Sequence, residues 1–141
     1  MVIMKKVFAL IFALLTLAAC GGNKDNPDTK KYAITGVWEL SSVATKASVG
    51  STTINVYVEF ASSGNFTLYQ KLGEGRYTLY TGSYTYSGDV LSGKYSSGAS
   101  WGPYNVTLDE STLVLSTEKE KDTYKKIESI PSSVISNTYQ L

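Results

Sequence analysis

Ile54-Asn55-Val56-Tyr57-Val58-Glu59-Phe60 alternates without a break, and a period of two over seven residues is the pattern of a half-buried β-strand. Only one register is open to it. Ile54, Val56, Val58 and Phe60 must face the core, because a slip of one residue would bury Glu59. The same period recurs from Ala33 onward, broken by glycine and small polar residues at the spacing of an all-β meander.

Eight strands are predicted in succession: 34–43, 54–60, 66–70, 76–86, 90–95, 104–108, 112–117 and 123–128. Trp38 and Leu40 share the inner face of the first, with Glu39 outside, and Phe66 and Leu68 face inward on the third. Gly82, in the middle of the fourth, marks a bend or bulge. Ser87-Gly88-Asp89 is a tight hairpin, Gly73-Glu74-Gly75 another, and Ser96 to Ser100 a flexible loop before Trp101. The charged run Glu118 to Asp122 reads as a further loop. Antiparallel strands joined by short turns remove their exposed edges by closing into an eight-stranded up-and-down barrel, whereas a two-sheet sandwich would need long crossovers that the chain lacks. At eight strands the interior is either filled by side chains or holds one small ligand.

Ahead of the barrel, Lys5 and Lys6 precede an apolar run from Val7 to Leu17, which ends at the small residues Ala18-Ala19. This has the layout of an export signal. A bilayer-spanning helix needs about 20 apolar residues, and this run stops at about a dozen. Cys20, the one cysteine of the chain, follows at once, and Gly21 to Asp28 is a polar, breaker-rich tether. The expected organisation is a signal peptide over 1–19, a tether over 20–32, the barrel over 33–128 and a tail over 129–141 packing on the barrel wall. In that tail, Pro131 with Val134, Ile135 and Tyr139 fits either a short helix or an extended strap.

Two resemblances add to this reading. Leu17-Ala18-Ala19-Cys20 resembles the lipobox of bacterial lipoproteins, which implies that Cys20 becomes the first mature residue and carries acyl chains such as palmitate. It implies a membrane partner through that lipid and an address in the bacterial cell envelope, with the outer membrane the expected location. Each buried methylene contributes about 0.8 kcal/mol to such an anchor. Gly36-Val37-Trp38 is similar to the G-x-W signature of lipocalins and their calycin relatives. With Val58-Glu59-Phe60, Phe66-Thr67-Leu68, Gly82-Ser83-Tyr84-Thr85, Leu113-Val114-Leu115 and Tyr124-Lys125-Lys126-Ile127, the span 34–127 resembles the lipocalin-like domain of bacterial lipoproteins. The resemblance implies that Gly36 and Trp38 close one end of the barrel, with a basic side chain from the last strand over the indole. Lys125 and Lys126 are available for that, where lipocalins usually place an arginine.

Little in the chain suits catalysis. It has no histidine, the commonest general base, and acylation would consume its only thiol. No enzyme activity, cofactor or metal is therefore expected. Without the leader the chain carries eleven basic against twelve acidic residues, a balance that gives no footprint for nucleic acid. Tyrosine is abundant in the strands, partly through β-propensity. Tyr80, Tyr84, Tyr86, Tyr95 and Tyr104, with Phe66, Leu68 and Gln70, are the candidate lining of a cavity with apolar walls and a few orienting polar groups. Gly82, on the face of Tyr80, Tyr84 and Tyr86, would leave room inside.

Two functional readings follow. One is a membrane-tethered module binding a small apolar or amphipathic ligand in the barrel, or a sugar against an exposed Trp101. The other is a packed scaffold or inhibitor-like domain whose loops, 96–102 above all, contact an envelope protein. A void of several hundred Å³ favours the first, and one no larger than a few waters disfavours it.

Overall fold

A computed structural model describes residues 32–45 and 53–139. The leader, Cys20 and all of the tether but Tyr32 lie outside them. The eight strands are β1 (Gly36–Thr45), β2 (Ile54–Phe60), β3 (Asn65–Leu72), β4 (Tyr77–Ser87), β5 (Val90–Tyr95), β6 (Ser100–Leu108), β7 (Thr112–Ser116) and β8 (Glu120–Ile127). Each pairs antiparallel with its neighbour in sequence, and β1 pairs antiparallel with β8, so the sheet closes as an up-and-down barrel.

Register follows the sequence alternation where that alternation is clean. Val56, Val58 and Phe60 are buried, with Ile54 partly so, and opposite them Phe66, Leu68 and Gln70 face inward. The β4–β5 hairpin turns on Gly88 and Asp89, both at positive φ (58° and 60°), as a two-residue hairpin requires.

Two bulges break the alternation. One lies in β1 between Leu40 and Ser42. The other lies where Leu91 pairs with Tyr104 but Gly93 pairs with Trp101, so that β6 holds one residue more than β5. That extra residue lets Trp101 and Tyr104, three apart, both point inward. Pro103 sits within the bulge, where no ladder hydrogen bond is required of it.

Three expectations are corrected. Residues 100–102 belong to β6, not to a loop, and Trp101 is buried at 6 % exposure, so no exposed indole platform for a sugar exists. β8 begins at Glu120, which places Glu120, Lys121 and Asp122 in a strand and Asp122 inside the barrel. Gly82 does not open space: a Cβ there would strike the Lys94 carbonyl and the Phe66 ring, which already fill it.

The tail combines the two forms foreseen for it. Pro131 caps a one-turn helix, α1 (Ser132–Ser136), and a two-residue strand, β9 (Thr138–Tyr139), then adds in parallel to the start of β4. Val134 is buried, and Thr138 donates from Oγ1 to the Val134 carbonyl (2.6 Å).

Candidate functional site

Short turns place one end of the barrel around Trp38. Its indole is fully buried, and Nε1–H donates to the Ile34 carbonyl at 2.9 Å, so the polar edge of the ring is satisfied as it enters the core. Lys126 Nζ lies 5.5 Å from the indole centroid, in cation–π range. Gly36 makes room for that lysine: its φ is +132°, and a Cβ there would come within 3.2 Å of Lys126 Cε. Lys125 points the other way, to Glu39 Oε2 on the outer wall (3.8 Å).

Between the strands lies a void of about 40 Å³. Its walls are Leu40, Val56, Val58, Phe60, Phe66, Leu68, Leu91, Tyr95, Trp101, Tyr104, Leu115, Asp122 and Tyr124. Ring contacts build one side: Phe66 meets Trp101 at 5.3 Å and 90°, and Tyr95 at 5.8 Å and 72°. Gly93 permits this, since a Cβ at that position would run into the Trp101 ring and the Ser83 carbonyl. A void that size has room for about three waters.

Of the eight residues foreseen as lining, Phe66, Leu68, Tyr95 and Tyr104 reach the void and four do not. Tyr84 donates from its hydroxyl to the Ala61 carbonyl in the β2–β3 turn (2.6 Å) and meets Phe60 edge-on at 4.9 Å. Tyr86 donates to Asp89 Oδ1 in the β4–β5 turn (3.2 Å). Tyr80 stacks at a tilt on Tyr95 (5.8 Å), and Gln70 is buried on β3 with no hydrogen-bond partner for either amide atom among the described residues.

The chemistry that sequence reasoning missed lies on the inner face of β8. Asp122 is 4 % exposed, lines the void, and has no hydrogen-bond partner at Oδ1 among the described residues. Burial in this apolar setting pushes its carboxyl up to about 6. Glu120 follows two residues earlier with Oε2 buried and likewise without a partner among the described residues. Its carboxyl is pushed up to about 7 by burial and then by the charge of Asp122, with Lys119 opposing. The phenols of Tyr104 and Tyr124 are driven well above their ordinary range by burial first, Asp122 contributing to both, so they stay protonated. A strict alternation read backwards from Tyr124 through Asp122 to Glu120 would have found this face. The density of charge over 118–122 hid it by resembling a solvated loop.

Among the described residues, no three His, Cys, Asp or Glu side chains converge as a metal site would require. No curated protein matches the chain. The family model of the lipocalin-like domain matches residues 34–115, from the Trp38 end of the barrel to Leu115 on β7. The chain belongs to the lipocalin-like domain family. In that frame the void occupies the barrel interior, the space that a lipocalin-like fold offers to a ligand.

Proposed function

We propose that this lipocalin-like chain is a non-enzymatic binding module that holds a small, largely apolar molecule in its barrel and is tethered to a bacterial envelope membrane through acylated Cys20. One observation carries the ligand reading: the void inside a lipocalin-like barrel is walled almost wholly by apolar and aromatic groups, with Asp122 as its single carboxyl. Its volume of about 40 Å³ favours a compact ligand of a few non-hydrogen atoms inside the barrel. The absence of histidine from the sequence supports a non-enzymatic role. The anchor reading is supported by the Leu17-Ala18-Ala19-Cys20 tetrapeptide behind its basic and apolar leader.

Dissolved xenon, an apolar sphere of a few waters' volume, tests the ligand reading. Saturable methyl NMR shifts confined to the lining residues Leu40, Val56, Val58, Leu68, Leu91 and Leu115 are expected, and shifts that are weak, uniform and unsaturable would overturn it. Incorporation of an alkyne fatty acid in cells, lost in Cys20→Ala together with membrane fractionation, tests the anchor. Unchanged labelling in that variant would refute it.

A packed scaffold that binds an envelope protein is the second reading, and the small volume of the void favours it. It expects no xenon response at the lining methyls.

A further inference from the structure

Asp122 is costly to the fold on its own terms. A carboxyl nine-tenths or more buried, with an oxygen lacking a partner among the described residues, is tolerated where something else meets it. Here that oxygen belongs to a residue lining a void, and among the described residues no lysine or arginine lines the void with it. Glu120, two residues along β8 and outside the lining, has Oε2 buried with no partner among the described residues. The remaining polar groups of the wall are neutral phenols and an indole N–H, from Tyr95, Tyr104, Tyr124 and Trp101.

From this we infer that the void is a site for a small organic cation, a short-chain alkylammonium whose nitrogen pairs with Asp122 and whose aliphatic part lies against Leu40, Leu91 and Leu115, with Glu120 outside the lining acting only through its charge. The inference rests on the binding-module reading and gives its ligand a charge and a size. Complementarity decides the sign. An anion would face the Asp122 carboxylate with no cationic side chain on the wall to receive it, and a wholly apolar guest would leave Oδ1 unmatched. A cation satisfies the oxygen and gains from aromatic surroundings, which favour positive charge. A calcium ion would need about six or more oxygen ligands, which two carboxyls do not supply. Size decides the rest: with room for about three waters, the void suits ethylammonium, two carbons and a nitrogen.

Ethanol is the neutral isostere, which makes the pair a direct test. On the full chain at about pH 8, where the carboxyl is ionised, ethylammonium chloride is expected to shift the methyls of Leu40, Leu91 and Leu115 saturably. Its dissociation constant should be roughly millimolar, the ceiling for a ligand of so few atoms, and that of ethanol at least about tenfold weaker. Asp122→Asn should bring the two probes to within about twofold of each other. Glu120→Gln should weaken ethylammonium by a smaller factor and leave ethanol unchanged.

Equal affinities of the two probes in the wild-type chain would overturn the cation inference, as would a preference that survives in Asp122→Asn; in both cases saturable shifts would uphold the binding module. No saturable lining shift with either probe would overturn the inference and the binding-module reading together. The wild-type comparison needs no variant, so the test stands even if Asp122→Asn does not fold.

Discussion

Trp38, Lys125 and Lys126 show how neighbouring residues on one short stretch of barrel wall carry very different energies. Trp38 is wholly buried and its N–H is spent on the Ile34 carbonyl, so Trp38→Ala removes a large apolar volume and orphans an acceptor together. The expected loss is about 3–5 kcal/mol, read as a fall in the urea midpoint. Lys126 lays its stem against Gly36 and its ammonium over the indole, so Lys126→Ala should cost about 0.5–1 kcal/mol. Lys125 makes a solvent-exposed pair with Glu39, and Lys125→Ala should cost less than about 0.5 kcal/mol. The two lysines are indistinguishable in sequence. Equal losses for both would show that the cation over the indole contributes nothing beyond an ordinary surface charge.

At the scale of elements, glycines set how closely the strands' rings approach. Gly93 on β5 faces the Trp101 ring on β6, and its Cβ position is also blocked by the Ser83 carbonyl from β4. Gly93→Ala therefore forces backbone as well as ring to move, and should destabilise by about 1–3 kcal/mol with quenched or shifted tryptophan emission. An unchanged denaturation midpoint would mean that the β5–β6 bulge relaxes freely. This is also where legibility in the sequence stops. The strands read at 54–60 and 66–70, the hairpins and the closed barrel were legible because period-two alternation shows the inner face, and at 54–60 the charge of Glu59 admits a single register. Trp101 was not, because the bulge at 102–103 breaks the parity that links it to Tyr104. Asp122 was not, because a charge run is ordinarily solvated and only closure of β8 onto β1 and β7 turns alternate residues of that run inward. The candidate lining was half right for a related reason: the face of a strand can be read from sequence, but its depth along the barrel cannot. Tyr84 and Tyr86 reach the turns beside them instead of the void.

For the whole molecule, the buried carboxyls predict an unusual pH profile. Asp122 is raised from 3.8 to about 6 and Glu120 from 4.5 to about 7, both chiefly by burial. Between about pH 4 and 7 the folded chain therefore holds more protons than the unfolded one, and stability falls as pH rises. The contribution is full below the unfolded values and lost above the folded ones. At 1.36 kcal/mol per pKa unit, Asp122 accounts for roughly 2–3 kcal/mol, and the more exposed Glu120 for less than about 1 kcal/mol. Asp109 acts in the opposite sense. Its carboxyl accepts the N–H groups of Ser111 and Thr112 and is lowered, so its contribution disappears as the solution becomes strongly acidic. The two raised carboxyls therefore favour mildly acidic over neutral solution. Urea denaturation at about pH 4.5 should give a higher midpoint than at about pH 8, and Asp122→Asn should remove most of the difference by stabilising the chain at the higher pH. A midpoint that rises with pH would mean that Asp122 is ionised and already partnered in the folded state. The same titration bears on the bound state: a cation that pairs with the carboxylate removes the cost of its burial. Saturating ethylammonium should therefore restore part of the lost stability at about pH 8 and none at about pH 4.5, where the carboxyl is protonated.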